Sequence, residues 1–162
     1  MSKKKQFSSD LHSRNDVPAR EAVLTHFRIL GLHCRNNPDQ YGPDLLYYGT
    51  GFRTQKYIEV EIKHSWPADS PEFPFPTVQV PERKMKFCRG RTPIEFWILR
   101  ADRKRAMIIP GSVLRSSPST EVPNKYMSKG EFFRQVPVSH CTQIELETGN
   151  DNLHVPEVTT RD

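Results

Sequence analysis

Two short stretches decide the fold of this chain, Gly42-Pro-Asp-Leu-Leu-Tyr-Tyr48 and Tyr57-Ile-Glu-Val-Glu-Ile-Lys63. In the second stretch, β-branched residues alternate with charged ones, which is the two-residue repeat of a β-strand. The first stretch starts an apolar run at Asp44, and the glycines between the two stretches can turn the chain back on itself. We therefore predict two paired strands that bring Asp44 alongside Glu61 on a charged face.

Alternation of charge with β-branched residues is also typical of any half-exposed antiparallel strand, so the second stretch alone does not indicate a site. The acid one hairpin away and the basic composition favour a functional interpretation. Mg²⁺ prefers hard oxygen ligands and needs only one or two carboxylates beside substrate phosphate oxygens. A third acid, Glu59, could reach the same metal, bind a second one, or remain a solvated charge.

The spacing of Pro43-Asp44, sixteen intervening residues and then Glu61-Ile-Lys63 resembles the PD-(D/E)XK nuclease superfamily. The resemblance covers about residues 17–114 and implies a restriction-endonuclease-like core. It further implies that Asp44 and Glu61 ligate a catalytic magnesium, assisted by the main-chain carbonyl of Ile62. By the same resemblance, Lys63 positions or activates the attacking water, and whether it does so electrostatically or as a general base stays open.

Two other acids compete for roles in this site. Asp39 forms a second Pro-Asp pair, but residues 36–40 are typical of a turn, so Asp44 is the better candidate. Glu21 lies in a predicted helix that begins near Asp16 and ends at Gly31. The resemblance implies that a carboxylate from this helix reaches the metal, although Glu21 could equally serve only the helix dipole.

The segment after Lys63 is rich in proline from 67 to 81, which predicts a loop rather than a helix or a central strand. Its aromatic residues Trp66, Phe73 and Phe75 are predicted to pack on the core. A basic run follows at residues 82–91, and a chain of net charge +5 favours phosphate binding there. The candidate phosphate ligands are Arg83, Lys84 and Lys86.

The remaining pattern predicts a hairpin of strands at 95–100 and 105–109, a short helix at 112–115 and a loop at 116–124. Apolar segments at 131–138 and 143–146 are expected to finish the sheet edge. The three cysteines are odd in number and lack a Cys-x-x-Cys pair, so free thiols are favoured over a zinc site.

The length of 162 residues fits one domain. We predict a single α/β domain over residues 16–146, a central mixed β-sheet flanked by helices, between a flexible basic tail (1–15) and a flexible polar tail (147–162). No apolar run has the length of a membrane span or the form of a signal peptide, so a cytoplasmic protein is expected.

These features predict a Mg²⁺-dependent DNA endonuclease, with Mn²⁺ as a substitute metal and no organic cofactor or membrane partner. Within the superfamily, a chain this small looks most like a structure-selective enzyme of the Holliday-junction-resolvase kind. The alternatives are a restriction-like or repair nuclease, an inactive DNA-binding module of the same fold, and a basic protein-interaction domain. A homodimer would suit symmetric cutting of two strands, but no interface is visible in the sequence.

Overall fold

A long helix, α1 (Ser9–Ile29), opens the part of the chain that the computed structural model describes, namely residues 9–49, 55–123 and 130–149, with the backbone alone over 9–16. It ends, as predicted, where Gly31 takes a left-handed φ of 71°. Its predicted start at Asp16 is wrong, because the helix begins at Ser9 and crosses the expected tail boundary at 15/16. Proline is typical of the first turn of a helix, so Pro18 indicates a start near Asp16, whereas in the structure it lies inside the helix.

Nine strands follow, and six of them form one large mixed sheet in the order β1-β2-β3-β5-β6-β9. Strands β3 and β5 run parallel, whereas all other neighbours in this sheet are antiparallel. The predicted central mixed sheet is therefore confirmed. The strands are β1 (Cys34–Asn36), β2 (Leu45–Tyr47), β3 (Lys56–Lys63), β4 (Thr77–Pro81), β5 (Ile94–Arg100), β6 (Arg105–Pro110), β7 (Ser119–Val122), β8 (Glu131–Pro137) and β9 (Thr142–Glu145).

A second sheet of three antiparallel strands has the order β4-β8-β7, and the sequence did not predict it. The expected loop at 116–124 contains β7, and the 131–138 segment forms the middle strand of this sheet instead of an edge of the large one. The prolines at 67–81 do confine that segment to a loop and an edge strand.

Three shorter helices complete the described chain: the 3₁₀ helices η1 (Glu82–Cys88) and η2 (Val138–His140), and α2 (Gly111–Ser116). The predicted β5–β6 hairpin and the short helix after it are confirmed. None of the helices in the described ranges is long and apolar enough to cross a membrane.

The large sheet is covered on both faces, which explains why β5 is apolar along most of its length. Helix α1 packs Val23 and Phe27 against Ile58, Val60 and other residues of one face. The second sheet, η1 and α2 cover the opposite face, where the core residues are Trp66, Phe73, Val78, Val80, Phe96, Ile98, Met107, Ile109, Leu114 and Val136. Core packing is thus confirmed for Trp66 and Phe73, whereas Phe75 is 48% exposed.

Candidate functional site

The predicted acids lie at the paired strands β2 and β3. The two strands are antiparallel with Leu45 opposite Ile58, so Asp44 enters β2 beside the strand that carries Glu59 and Glu61. The acids of β3 lie on the face away from α1, as the alternation predicted. That face is not a free surface, however, because η1 and β4 lie over it and leave the acids half-buried.

The Asp44 carboxylate is tied to β3 by its own hydrogen bond. Its Oδ2 atom accepts from the backbone N–H of Val60 at 2.9 Å, and the side chain is only 16% exposed. Its Oδ1 atom lies 4.0 Å from Nη1 of Arg20 on α1. The hydrogen bond holds the Asp44 carboxylate at Val60, the residue that precedes Glu61 on β3.

Arg20 is a site residue that the sequence reasoning missed. It precedes Val23 by three positions and Phe27 by seven, so it lies on the core-facing stripe of α1. A cation at the end of an apolar stripe needs a partner, and that signal was available in the sequence.

Glu61 and Lys63 form an ion pair on the same face of β3. The ammonium of Lys63 donates to Oε1 of Glu61 at 3.4 Å and to the carbonyl oxygen of Gln79 on β4 at 3.1 Å. Two acceptors from different sheets therefore fix the position of this ammonium next to the acid. Ile62, whose carbonyl was a predicted ligand, lies between the two and pairs with Leu99 of β5.

Lys84 of η1 forms ion pairs with the acids of β3. Its ammonium lies 3.8 Å from Oε1 of Glu59 and 3.6 Å from Oε2 of Glu61, and its side chain is 17% exposed. The sequence assigned Lys84 to DNA phosphates, but in the structure it bridges two carboxylates. Oε2 of Glu61 is shielded from solvent and receives no hydrogen bond from the described residues, so this ion pair is its main compensation.

Two sets of ion pairs therefore lie at these strands, Asp44 with Arg20, and Glu59 and Glu61 with Lys63 and Lys84, and we call the six side chains together the acid cluster. Three negative and three positive groups balance each other. A divalent cation bound here would therefore have to compete with a cation that the protein supplies itself.

The other predicted site residues do not join the acid cluster. Glu21 is exposed on α1, next in sequence to the arginine that does reach Asp44. Arg83 and Lys86 are exposed on η1, and the ammonium of Lys86 lies 4.9 Å from the ring centre of Phe87. The rival acid Asp39 lies in an exposed turn, where its Oδ1 accepts from the backbone N–H of Tyr41.

A clamp from the second sheet holds η1 in place. Arg134 of β8 donates Nε to Oε2 of Glu82 at 2.7 Å and Nη2 to Oε1 at 2.9 Å, a two-bond pairing. Its Nη1 also donates to the carbonyl oxygens of Arg115 and Ser117. The hydrogen bonds from Arg134 lower the pKa of Glu82 below its usual value. Lys84 is thus presented to the acids by an anchored helix.

The chemistry of the acid cluster suits a hard divalent cation. Among the described residues, no three Asp, Glu, His or Cys side chains converge on one point as a complete metal site. Mg²⁺ does not need such a site, because it keeps several of its waters and accepts one or two carboxylates. Asp44 and Glu61 are carboxylates of this kind, and Oε2 of Glu61, which pairs with Lys84, accepts no hydrogen bond from the described residues.

Comparisons of the chain with protein-family models, with curated proteins and with solved structures found no match.

Proposed function

We propose that this protein is a divalent-metal-dependent nuclease that hydrolyses phosphodiester bonds in DNA. The observation that carries the proposal is the hydrogen bond from the N–H of Val60 to Asp44. It holds the aspartate of the Pro-Asp pair against the strand that presents Glu61 and Lys63. The order of strands, with an antiparallel β2–β3 pair and a parallel β3–β5 pair, supports a restriction-endonuclease-like core.

In this proposal Asp44 and Glu61 hold Mg²⁺ or Mn²⁺, with the Ile62 carbonyl and Glu59 as further oxygen ligands. The metal would supply charge stabilisation at the phosphate and a more nucleophilic water. Lys63 is held by Glu61 and the Gln79 carbonyl, so its ammonium is preorganised to orient a water or to neutralise charge on the phosphate.

A net charge of +5 attracts a polyanion, which supports a nucleic-acid substrate, and we propose DNA because the motif resembles that of the PD-(D/E)XK nucleases. Structure-selective cutting of the junction-resolvase kind is the specific activity we put forward, and restriction-like or repair cleavage would use the same residues. Symmetric cutting of both strands would require a homodimer that places two acid clusters on one substrate.

A DNA-binding module without catalysis is the second candidate. The specific observation in its favour is Lys84, which neutralises Glu59 and Glu61 and lies where a metal would approach them. The two candidates differ in one property, since only the nuclease must bind a divalent cation at these carboxylates.

The decisive experiment is a cleavage assay on linear duplex, single strand, flap and four-way junction, each with Mg²⁺, Mn²⁺ or EDTA. We expect cleavage that needs metal and falls by at least about 100-fold in Asp44→Asn, Glu61→Gln and Lys63→Met. Both acid replacements keep the shape of the side chain, and the amide oxygen introduced by Asp44→Asn could still accept the N–H of Val60. Asp39→Asn is the matched control, because it changes the rival Pro-Asp acid in an exposed turn.

Full cleavage by Glu61→Gln would refute the assignment of the acid cluster as the active site. Metal-independent DNA binding with no cleavage of any substrate, and no metal binding in calorimetry, would instead favour the inactive module.

A further inference from the structure

Helix η1 sorts its side chains into three rows. A 3₁₀ helix has three residues per turn, so positions three apart lie above one another. The first row, Glu82, Met85 and Cys88, faces the clamp and the core. The second contains Lys84, which faces the acid cluster. The third row consists of Arg83, Lys86 and Arg89, and we call it the basic ridge.

All three members of the basic ridge are exposed. Arg89 continues the row because, as the C-terminal cap of η1, it keeps a helical backbone with φ −86° and ψ −14°. A rise of about 2.0 Å per residue places neighbouring members roughly 6 Å apart along the helix. That separation is similar to the distance between successive phosphates of a nucleic-acid strand.

The basic ridge differs from other cationic side chains of the described ranges in its ion pairs. Over the described residues, none of the three forms an ion pair, whereas Arg100, Arg105 and Arg134 all do. Arg89 acts on Glu82 only through its longer-range charge, and Lys86 contacts the face of the Phe87 ring. Three exposed cations in one line, none paired with a carboxylate of the described ranges, would attract a polyanion.

The basic ridge also has a fixed relation to the acid cluster. Helix η1 carries the basic ridge and also Lys84 of the acid cluster, and the Glu82–Arg134 clamp anchors this helix to the second sheet. Lys84 follows Arg83 in η1, and its side chain contacts Glu59 and Glu61. A strand bound along the basic ridge would therefore lie on the helix whose Lys84 contacts the acids.

We propose that Arg83, Lys86 and Arg89 bind consecutive backbone phosphates of one DNA strand and guide it to the acid cluster. The choice of DNA as the ligand rests on the proposed function. The structure thus replaces Lys84 by Arg89 in the set of phosphate ligands that the sequence indicated. Lysine and arginine contacts of this kind position the nucleic acid without reading its sequence.

The test is binding of fluorescein-labelled duplex and single-stranded 20-mers, measured by anisotropy at several salt concentrations in EDTA, so that no cleavage is needed. The triple variant Arg83→Gln, Lys86→Gln, Arg89→Gln should weaken binding to all sequences about equally. Each lost phosphate contact should flatten the slope of log affinity against log salt by roughly 0.9 on duplex DNA, or ~2.7 in total.

A matched control removes three exposed cations from elsewhere, namely Arg28→Gln, Arg35→Gln and Lys104→Gln, so that net charge falls equally. We expect its salt slope to change by less than half as much.

Equal losses in the two triple variants would overturn the basic ridge, since binding would then follow net charge alone. The two proposals fail separately: ridge-dependent binding without cleavage would contradict the nuclease proposal alone, and cleavage without ridge-dependent binding would contradict this one alone.

Discussion

Replacing Lys84 by methionine tests whether the ion pairs of this lysine with Glu59 and Glu61 stabilise the protein. The substitution keeps most of the length of the side chain and removes only the charge. It leaves Glu59 and Glu61 facing each other with 11% and 28% of their side chains exposed. Two partly buried carboxylates without their shared cation repel each other, so the metal-free protein should lose stability.

The magnitude follows from the two contact distances, 3.6 and 3.8 Å. Each attraction is about 4 kcal/mol at an effective dielectric constant near 20, and much of it is offset by the cost of desolvating the ammonium. We expect a net loss of about 2–3 kcal/mol in the free energy of unfolding. In a domain of this size, that loss corresponds to a fall of roughly 5–10 °C in Tm.

The assay is urea unfolding of wild type and Lys84→Met, first in EDTA and then with saturating Mg²⁺. If metal and lysine compete for the same oxygens, the variant should bind Mg²⁺ about tenfold more tightly and recover about 1.4 kcal/mol more than wild type does. Lys86→Met, an exposed lysine of the same helix, is the control and should change stability by less than ~0.5 kcal/mol. An unchanged unfolding curve for Lys84→Met in EDTA, or the same response to Mg²⁺ as wild type, would refute this reasoning.

Three further outcomes are expected. Arg134→Lys should lower the free energy of unfolding by about 1–3 kcal/mol in urea, because lysine cannot reproduce the two-bond contact with Glu82. Burial lowers the pKa of His26 below 6.5, so the unfolded chain binds more protons at this residue than the native protein does. The free energy of unfolding should therefore be highest above pH 6.5 and should fall on acidification. His26→Gln should weaken this dependence in urea titrations at pH 5 to 8. Burial also raises the pKa of the Cys34 thiol to about 12, so a disulfide reagent at pH 8 should label it far more slowly in the native protein than in urea.

The parts of the fold that could be predicted are those built from neighbouring segments. The β2–β3 pair and the β5–β6 hairpin each join strands close in sequence, and their alternation and turn residues contain the necessary information. The second sheet joins β4 to β8, more than fifty residues later, and its strand β7 shows no apolar alternation. A pairing of that kind depends on tertiary packing, which no local pattern reports.

The candidate site divides in the same way. The position of Asp44 against β3 could be predicted from the hairpin alone. Lys84 could not, because its direction depends on the 3₁₀ geometry of η1 and on the clamp from β8. A run of basic residues gives no indication of which member turns inward, so the sequence assigned all three candidates to phosphates.

The clamp between Glu82 and Arg134 also has a consequence for the order in which the chain folds. It spans 52 residues, and the hydrogen bond between Phe73 and Gln143 spans 70. The two local strand pairs can form early, whereas such distant contacts must wait for long loops to close. We therefore expect Lys84 to reach its acids late, after the transition state. Substitutions at Arg134 should speed unfolding while leaving the refolding rate nearly unchanged, a pattern that stopped-flow kinetics can measure.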